Sequence, residues 1–209
     1  MTNDSGTPVW LRLPIMLAAG LGLIAALLGG MNRLGLILLD VPGRVALNHG
    51  GLMVSGFLGV VIAMERAVAL PVKGSLLVPA MGGAGTLTIL FSPFQGFGLF
   101  LILLASVGVV GLFGYIFSVQ PSLHNTVLLA GGVCWLVGNT YWWRHVPVHQ
   151  FVGWWMAFLV FVIAAERLEL NRLLKLTFLQ KTVFLAGVLL VLGGLIVSPL
   201  YSTWGVRCF

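Results

Sequence analysis

The sequence predicts an all-α polytopic membrane protein: about seven transmembrane helices arranged as two parallel-oriented repeats. Three observations carry this. Hydrophobic residues fill 59% of 209 positions and only 8% are charged, with a mean hydropathy of +1.08. A soluble domain cannot cover its surface with so few charges, so the bilayer is the expected solvent. Apolar runs of spanning length recur along the chain. Finally, Phe57–Arg66 returns as Phe158–Arg167, offset by 101 with seven of ten positions identical.

A spanning helix needs roughly 20 apolar residues. That ruler places spans near 11–30, 46–68, 75–92, 97–118, 123–141, 149–167 and 182–200. The first carries only Arg12 as a leading cation and is long for a signal-peptide core, so it reads as a permanent span. Small residues in the first span (Ala18, Ala19, Gly20, Gly22) and the third (Gly82, Gly83, Gly85) predict close helix approach. Trp142, Trp143, Trp154 and Trp155 flank the junction of spans five and six and read as an interfacial aromatic belt.

The repeat extends past the Glu-Arg helices. Leu17-Ala18-Ala19-Gly20 in span one resembles Leu128-Leu129-Ala130-Gly131 in span five, and Ser92-Pro93 closes span three as Ser198-Pro199 closes span seven. Spans one to three therefore match spans five to seven, with span four as the link. Four spans separate equivalents, so the copies share one orientation. The whole chain, 1–209, is read as one transmembrane domain, with repeat A at about 11–118 and repeat B at about 123–209. Repeat B lacks an eighth helix, which is expected where the chain ends at Phe209.

Loop charges give sidedness. Arg12, Arg66, Lys73, Arg167, Arg172, Lys175 and Lys181 collect on one side, and Arg33, Arg44, Arg144 and Arg207 on the other. The positive-inside rule then puts the N-terminus in the cytoplasm and the C-terminus outside, in the inner (cytoplasmic) membrane. The net charge of +6 is scattered over short loops, so the expected partner is the lipid bilayer rather than nucleic acid. Homo- or hetero-oligomers in the membrane are a further expectation. Cys134 and Cys208 sit far apart, which argues against a mutual disulfide or a metal cluster.

Few side chains can carry chemistry. His49 stands near the start of span two, and His145 and His149 near the start of span six, which runs in the same direction. Imidazoles on facing bundle helices are how a haem is clamped, so His49, with His149 or His145, is the candidate ligand set for haem b. A metal site on His49 and His149 is the poorer alternative, since a third ligand is missing. Glu65-Arg66 and Glu166-Arg167 lie 16 and 17 residues beyond His49 and His149, roughly 24 Å away along a helix. Neighbouring helical residues diverge by about 100°, so the pairs are expected to satisfy one another reciprocally, Glu65 with Arg167 and Glu166 with Arg66, as a structural charge clamp.

The segment from His49 through Met53 and Phe57 resembles the second helix of haem-copper oxidase subunit I. It is also similar to the NnrS family of haem- and copper-associated membrane proteins, in which a His-x-His-Glu-Met stretch leads into Val-Ile-Ala, here Val61-Ile62-Ala63. Gly51 stands where that pattern has its second His, and no Glu precedes Met53. The resemblance implies a haem ligand at His49 and a role in electron transfer or in handling oxygen or nitric oxide. Two other readings stand beside it: a small-solute transporter, whose midplane polar groups would be Thr86, Thr88, Ser106 and Asn139, and a membrane scaffold or assembly partner. The loops carry no nucleophile–base pair, phosphate loop or carboxylate dyad, so an enzyme is the weaker expectation.

Overall fold

A computed structural model of the chain describes residues 9–36, 39, 41–72, 74–170 and 178–205. Seven helices run through the described residues, with no strand among them: α1 (Val9–Arg33), α2 (Gly43–Ala69), α3 (Leu77–Phe91), α4 (Gln95–Val119), α5 (Leu123–Trp143), α6 (Val152–Leu170) and α7 (Phe178–Gly205). A short 3-10 turn, Val148–Gln150, precedes α6. Seven helices stand where seven spans are expected. Three of them, Trp10–Arg33, Gly43–Ala69 and Gln95–Val119, are long and apolar enough to cross a membrane, while Leu77–Phe91 is apolar but shorter. Lys73, Arg172, Lys175, Arg207 and Cys208 fall outside the described residues.

The chain forms two compact units, Met1–Leu112 with Trp142–Arg144, and Phe113–Tyr141 with His145–Phe209. In the first, α3 packs against three neighbours through three glycines. A Cβ on Gly83 would meet Ala18 of α1 at 3.3 Å, one on Gly82 would meet Val60 of α2 at 2.8 Å, and one on Gly85 would meet the Gly98 carbonyl of α4 at 2.7 Å. At Gly82 and Gly85 a Cβ would force a neighbour to shift, and at Gly83 Ala18 would have to give by a few tenths of an ångström, so the demand here is close approach rather than backbone conformation. α1 approaches α2 in the same way at Gly29, where a Cβ would lie 2.8 Å from the Val45 carbonyl, while at Gly22 the close neighbour is Thr86 Cγ2 of α3 at 2.7 Å, with the Gly56 carbonyl of α2 at 3.5 Å. Gly20, expected at such a contact, faces open space instead.

α2 departs from the regular helix the sequence suggests. Residues Leu52–Gly59 form a π-helical stretch between α-helical Gly43–Gly51 and Val60–Ala69. Its wider turn shifts the angular phase between the His49 end and the Glu65 end. Leu52, Val54, Ser55 and Gly56 are buried there.

In the second unit α5 meets α6 at Gly131, beside Phe161 and the Phe158 carbonyl, and at Gly138, beside the Trp155 ring. The seven-residue spacing of Gly131 and Gly138 equals that of Gly22 and Gly29. Aromatic packing fills the remainder: Trp135 stacks on Phe158 at 5.2 Å, and Phe151 meets Trp155 edge-on at 4.9 Å. α7 joins through Gly153, where a Cβ would lie 2.6 Å from Leu195 Cδ2.

Both α1 and α5 end on a left-handed residue. The Leu36 amide donates to the Met31 carbonyl at 3.0 Å across Gly35, and the Val146 amide donates to the Tyr141 carbonyl at 3.1 Å across His145. φ is +80° at Gly35 and +55° at His145, the geometry of a Schellman stop.

Gly85→Ala is expected to lower stability by about 1–3 kcal/mol through overpacking. Gly20→Ala, at an open helical site, is expected to leave stability unchanged or raise it by up to about 1 kcal/mol. Thermal unfolding of the two variants would check the contrast.

Candidate functional site

The His49 end of α2 is the best-built polar region in the first unit. His49 lies in the second turn of the helix, half-buried, with its ring Cδ2 3.5 Å from where a Cβ on Gly30 of α1 would stand. Its Nδ1 lies 2.8 Å from the Ala46 carbonyl. A carbonyl only accepts, so Nδ1 is the donor, and in the neutral ring Nε2 is then the nitrogen with the lone pair. This is the tautomer in which a histidine serves as a metal ligand, held in orientation by its second nitrogen. Gly50, next in sequence, borders open space.

Asn48 ties this region together. Its Nδ2 donates to the Arg44 carbonyl at 2.8 Å, and its Oδ1 accepts from Trp142 Nε1 at 3.2 Å. The Trp142 ring occupies the space a Gly51 side chain would need. Arg44, one turn earlier, donates from Nη1 to the Ser92 carbonyl at 3.1 Å and from Nη2 to the Leu90 carbonyl at 2.9 Å. These carbonyls close α3, where helical acceptors lack partners and the dipole favours a cation.

A second indole is held likewise in the other unit. Trp155 Nε1 donates to Asn139 Oδ1 at 3.1 Å, and the ring lies over Gly138. Trp142 and Trp155 are 5% and 0% exposed, which corrects the aromatic-belt expectation for these two. An indole N–H buried among helices needs an acceptor, and each tryptophan takes one from an asparagine carbonyl oxygen. Trp143, at 42% exposure, keeps the surface placement. The signal was present in the sequence as Asn48 with Gly51, and Gly138 with Asn139, but only the fold brings each to its tryptophan.

His145 and His149 are both exposed. His145 is the left-handed residue that stops α5, and His149 lies in the 3-10 turn ahead of α6 rather than on it. Pro147 between them begins that turn, so they share no helix face. His124, half-buried at the start of α5, lies 3.3 Å from Ser122 Oγ. Among the described residues no three His, Cys, Asp or Glu side chains gather as a metal site.

The charge pairs differ from each other. Arg66 Nη2 lies 3.7 Å from Glu65 Oε1 of the same copy, which corrects the expectation that neighbours on a helix cannot meet. Their long side chains bridge the angular gap. Glu65 is 59% exposed, so the contact stabilises by no more than about 1 kcal/mol. In the second copy Glu166 is half-buried and Arg167 exposed.

Comparison with known proteins adds one finding: the family model described as "Domain of unknown function (DUF8744)" matches residues 12–209. The chain belongs to the DUF8744 family. No curated protein and no solved structure matches it. The match in this DUF8744 chain takes in α2, both indole locks and every candidate histidine.

Trp142→Phe and Trp155→Phe each remove a donor while keeping most of the ring, and each is expected to destabilise by about 1–2 kcal/mol. His145→Gly is expected to stabilise by about 1 kcal/mol, because glycine adopts the left-handed conformation without a Cβ penalty. Thermal unfolding of the three variants would measure both effects.

Proposed function

We propose that this chain is a polytopic integral membrane protein of the inner membrane, N-terminus cytoplasmic, that binds a b-type haem through His49 for electron transfer or small-gas handling. The observation that carries the reading is the Nδ1–Ala46 carbonyl contact at 2.8 Å, which leaves Nε2 of a half-buried imidazole as the free ligand nitrogen. The open space beside Gly50 favours the approach of a flat macrocycle. His49 would hold the iron on one face. His149 is the preferred second ligand, because His145 has a backbone role as the stop of α5. Bound haem would supply reversible one-electron chemistry at the iron.

The two-repeat reading draws support from α1 and α5. Their Schellman stops are 110 residues apart, and their paired glycines are 109 apart. A transporter is less well supported, because the mid-helix polar groups are engaged locally. Thr86 donates to the Gly82 carbonyl, Thr88 to Ala84 and Ser106 to Leu103, and Asn139 accepts from Trp155. The same engagement favours a membrane scaffold as the second reading.

Absorption spectra of the protein purified from haem-replete cells test this. A Soret band with sharp reduced α and β bands is expected, lost in His49→Ala and converted to a five-coordinate spectrum in His149→Ala. A flat visible spectrum at full protein loading would leave the scaffold reading in its place.

A further inference from the structure

We infer that the groove between α1, the start of α2 and the end of α3 is a binding site for one anionic phospholipid, with its phosphate on Arg44. The inference rests on the membrane reading above and not on haem. The groove has a volume of about 330 Å³ and is lined by apolar side chains, among them Leu21, Ile24, Leu28, Val45 and Phe91, with Arg44 the one cation in its wall. Ile24 and Phe91 are 56% and 69% exposed, so the lining is open along its length.

Arg44 supplies the charge complementarity. Its two terminal nitrogens each donate once, to the Leu90 and Ser92 carbonyls, which fixes the guanidinium at the groove's edge. Each terminal nitrogen carries two hydrogens, so one N–H on each remains for an acceptor. No carboxylate among the described residues lies within ion-pair distance of Arg44. A cation with no counter-ion among the described residues, beside an open apolar channel, matches a ligand with one anionic oxygen cluster and a long hydrocarbon tail. A remaining guanidinium N–H donates to a phosphate oxygen as a charge-assisted hydrogen bond, and the tail would cover Ile24 and Phe91.

Native mass spectrometry of the full chain in detergent, with phosphatidylglycerol and phosphatidylcholine of identical acyl chains, tests the site. One phosphatidylglycerol per chain is expected to bind at least about tenfold more tightly than phosphatidylcholine, as charge-assisted hydrogen bonds would give. Arg44→Gln should abolish the preference, and Arg44→Lys should keep only part of it. Because Arg44 also closes α3, Ile24→Trp is the cleaner variant. It fills the groove, leaves Arg44 in place, and should remove phosphatidylglycerol binding with an unchanged melting temperature. Equal binding of the two lipids, or full phosphatidylglycerol binding by Ile24→Trp, would overturn the inference. So would a lipid-free dimer that Ile24→Trp separates, which would give the groove to a second copy. Carbonate extraction of the same cells keeps the two readings apart: a chain that washes off fails the membrane reading itself, whereas an integrated chain without lipid preference fails only this one.

Discussion

Close backbone approach at glycine is the constraint on which the rest of this structure depends. Gly82, Gly83 and Gly85 let one short helix touch α2, α1 and α4, each at a distance that would exclude a Cβ or force its neighbour to move. Helices so near leave no interior room for polar side chains seeking partners. The buried hydroxyls of Ser75, Thr86 and Ser106 therefore bond to nearby backbone carbonyls. Thr86 is the clearest case, donating to Gly82 one turn back, with the Gly56 carbonyl of α2 a longer second acceptor at 3.3 Å. Chemistry is displaced to the helix ends, where α2 begins and α3 stops.

At those ends two different devices answer the same problem. The carbonyls that close α3 receive a guanidinium from α2, and the buried indoles receive asparagine oxygens. Each device couples one helix terminus or ring to another element by a directed bond, which packing of apolar surfaces alone does not provide. Asn48 belongs to both, since its amide nitrogen holds the Arg44 carbonyl while its oxygen holds Trp142. His49 follows it in sequence, so the imidazole sits on a turn whose neighbours are tied in two directions. A ligand built on that turn would be oriented more firmly than a histidine whose neighbours are unbonded.

The helices were legible because their signal is local: apolar runs of given length, broken by Pro93 or by polar clusters, mark elements without knowledge of neighbours. What was hidden depends on contacts distant in sequence. Trp142 and Trp155 look like belt residues until an asparagine and a glycine are found opposite them. Gly20 and Gly22 are alike in sequence, and only the crossing of α1 over α2 and α3 selects Gly22. The π-helical stretch of α2 has no counterpart in apolar periodicity, because Leu52–Gly59 is almost uniformly apolar. In the sequence Arg44 is one more loop cation, and its role appears only when the end of α3 is brought to it. His49 as a candidate was readable from its neighbours, whereas the fixed tautomer was not.

The stops of α1 and α5 are most instructive where they differ. Gly35 and His145 occupy the same step of the same stop motif, so the demand at that step is for a left-handed backbone, which a histidine meets less easily than a glycine. His145 therefore has a structural explanation that requires no ligand. His49 has no such explanation: its α-helical backbone would accept almost any residue, and its bond to Ala46 holds only the ring itself. What packing beside Gly30 of α1 and the bond to Ala46 leave open is the chemistry of its other ring nitrogen. That argument points to His49 rather than to histidine content in general.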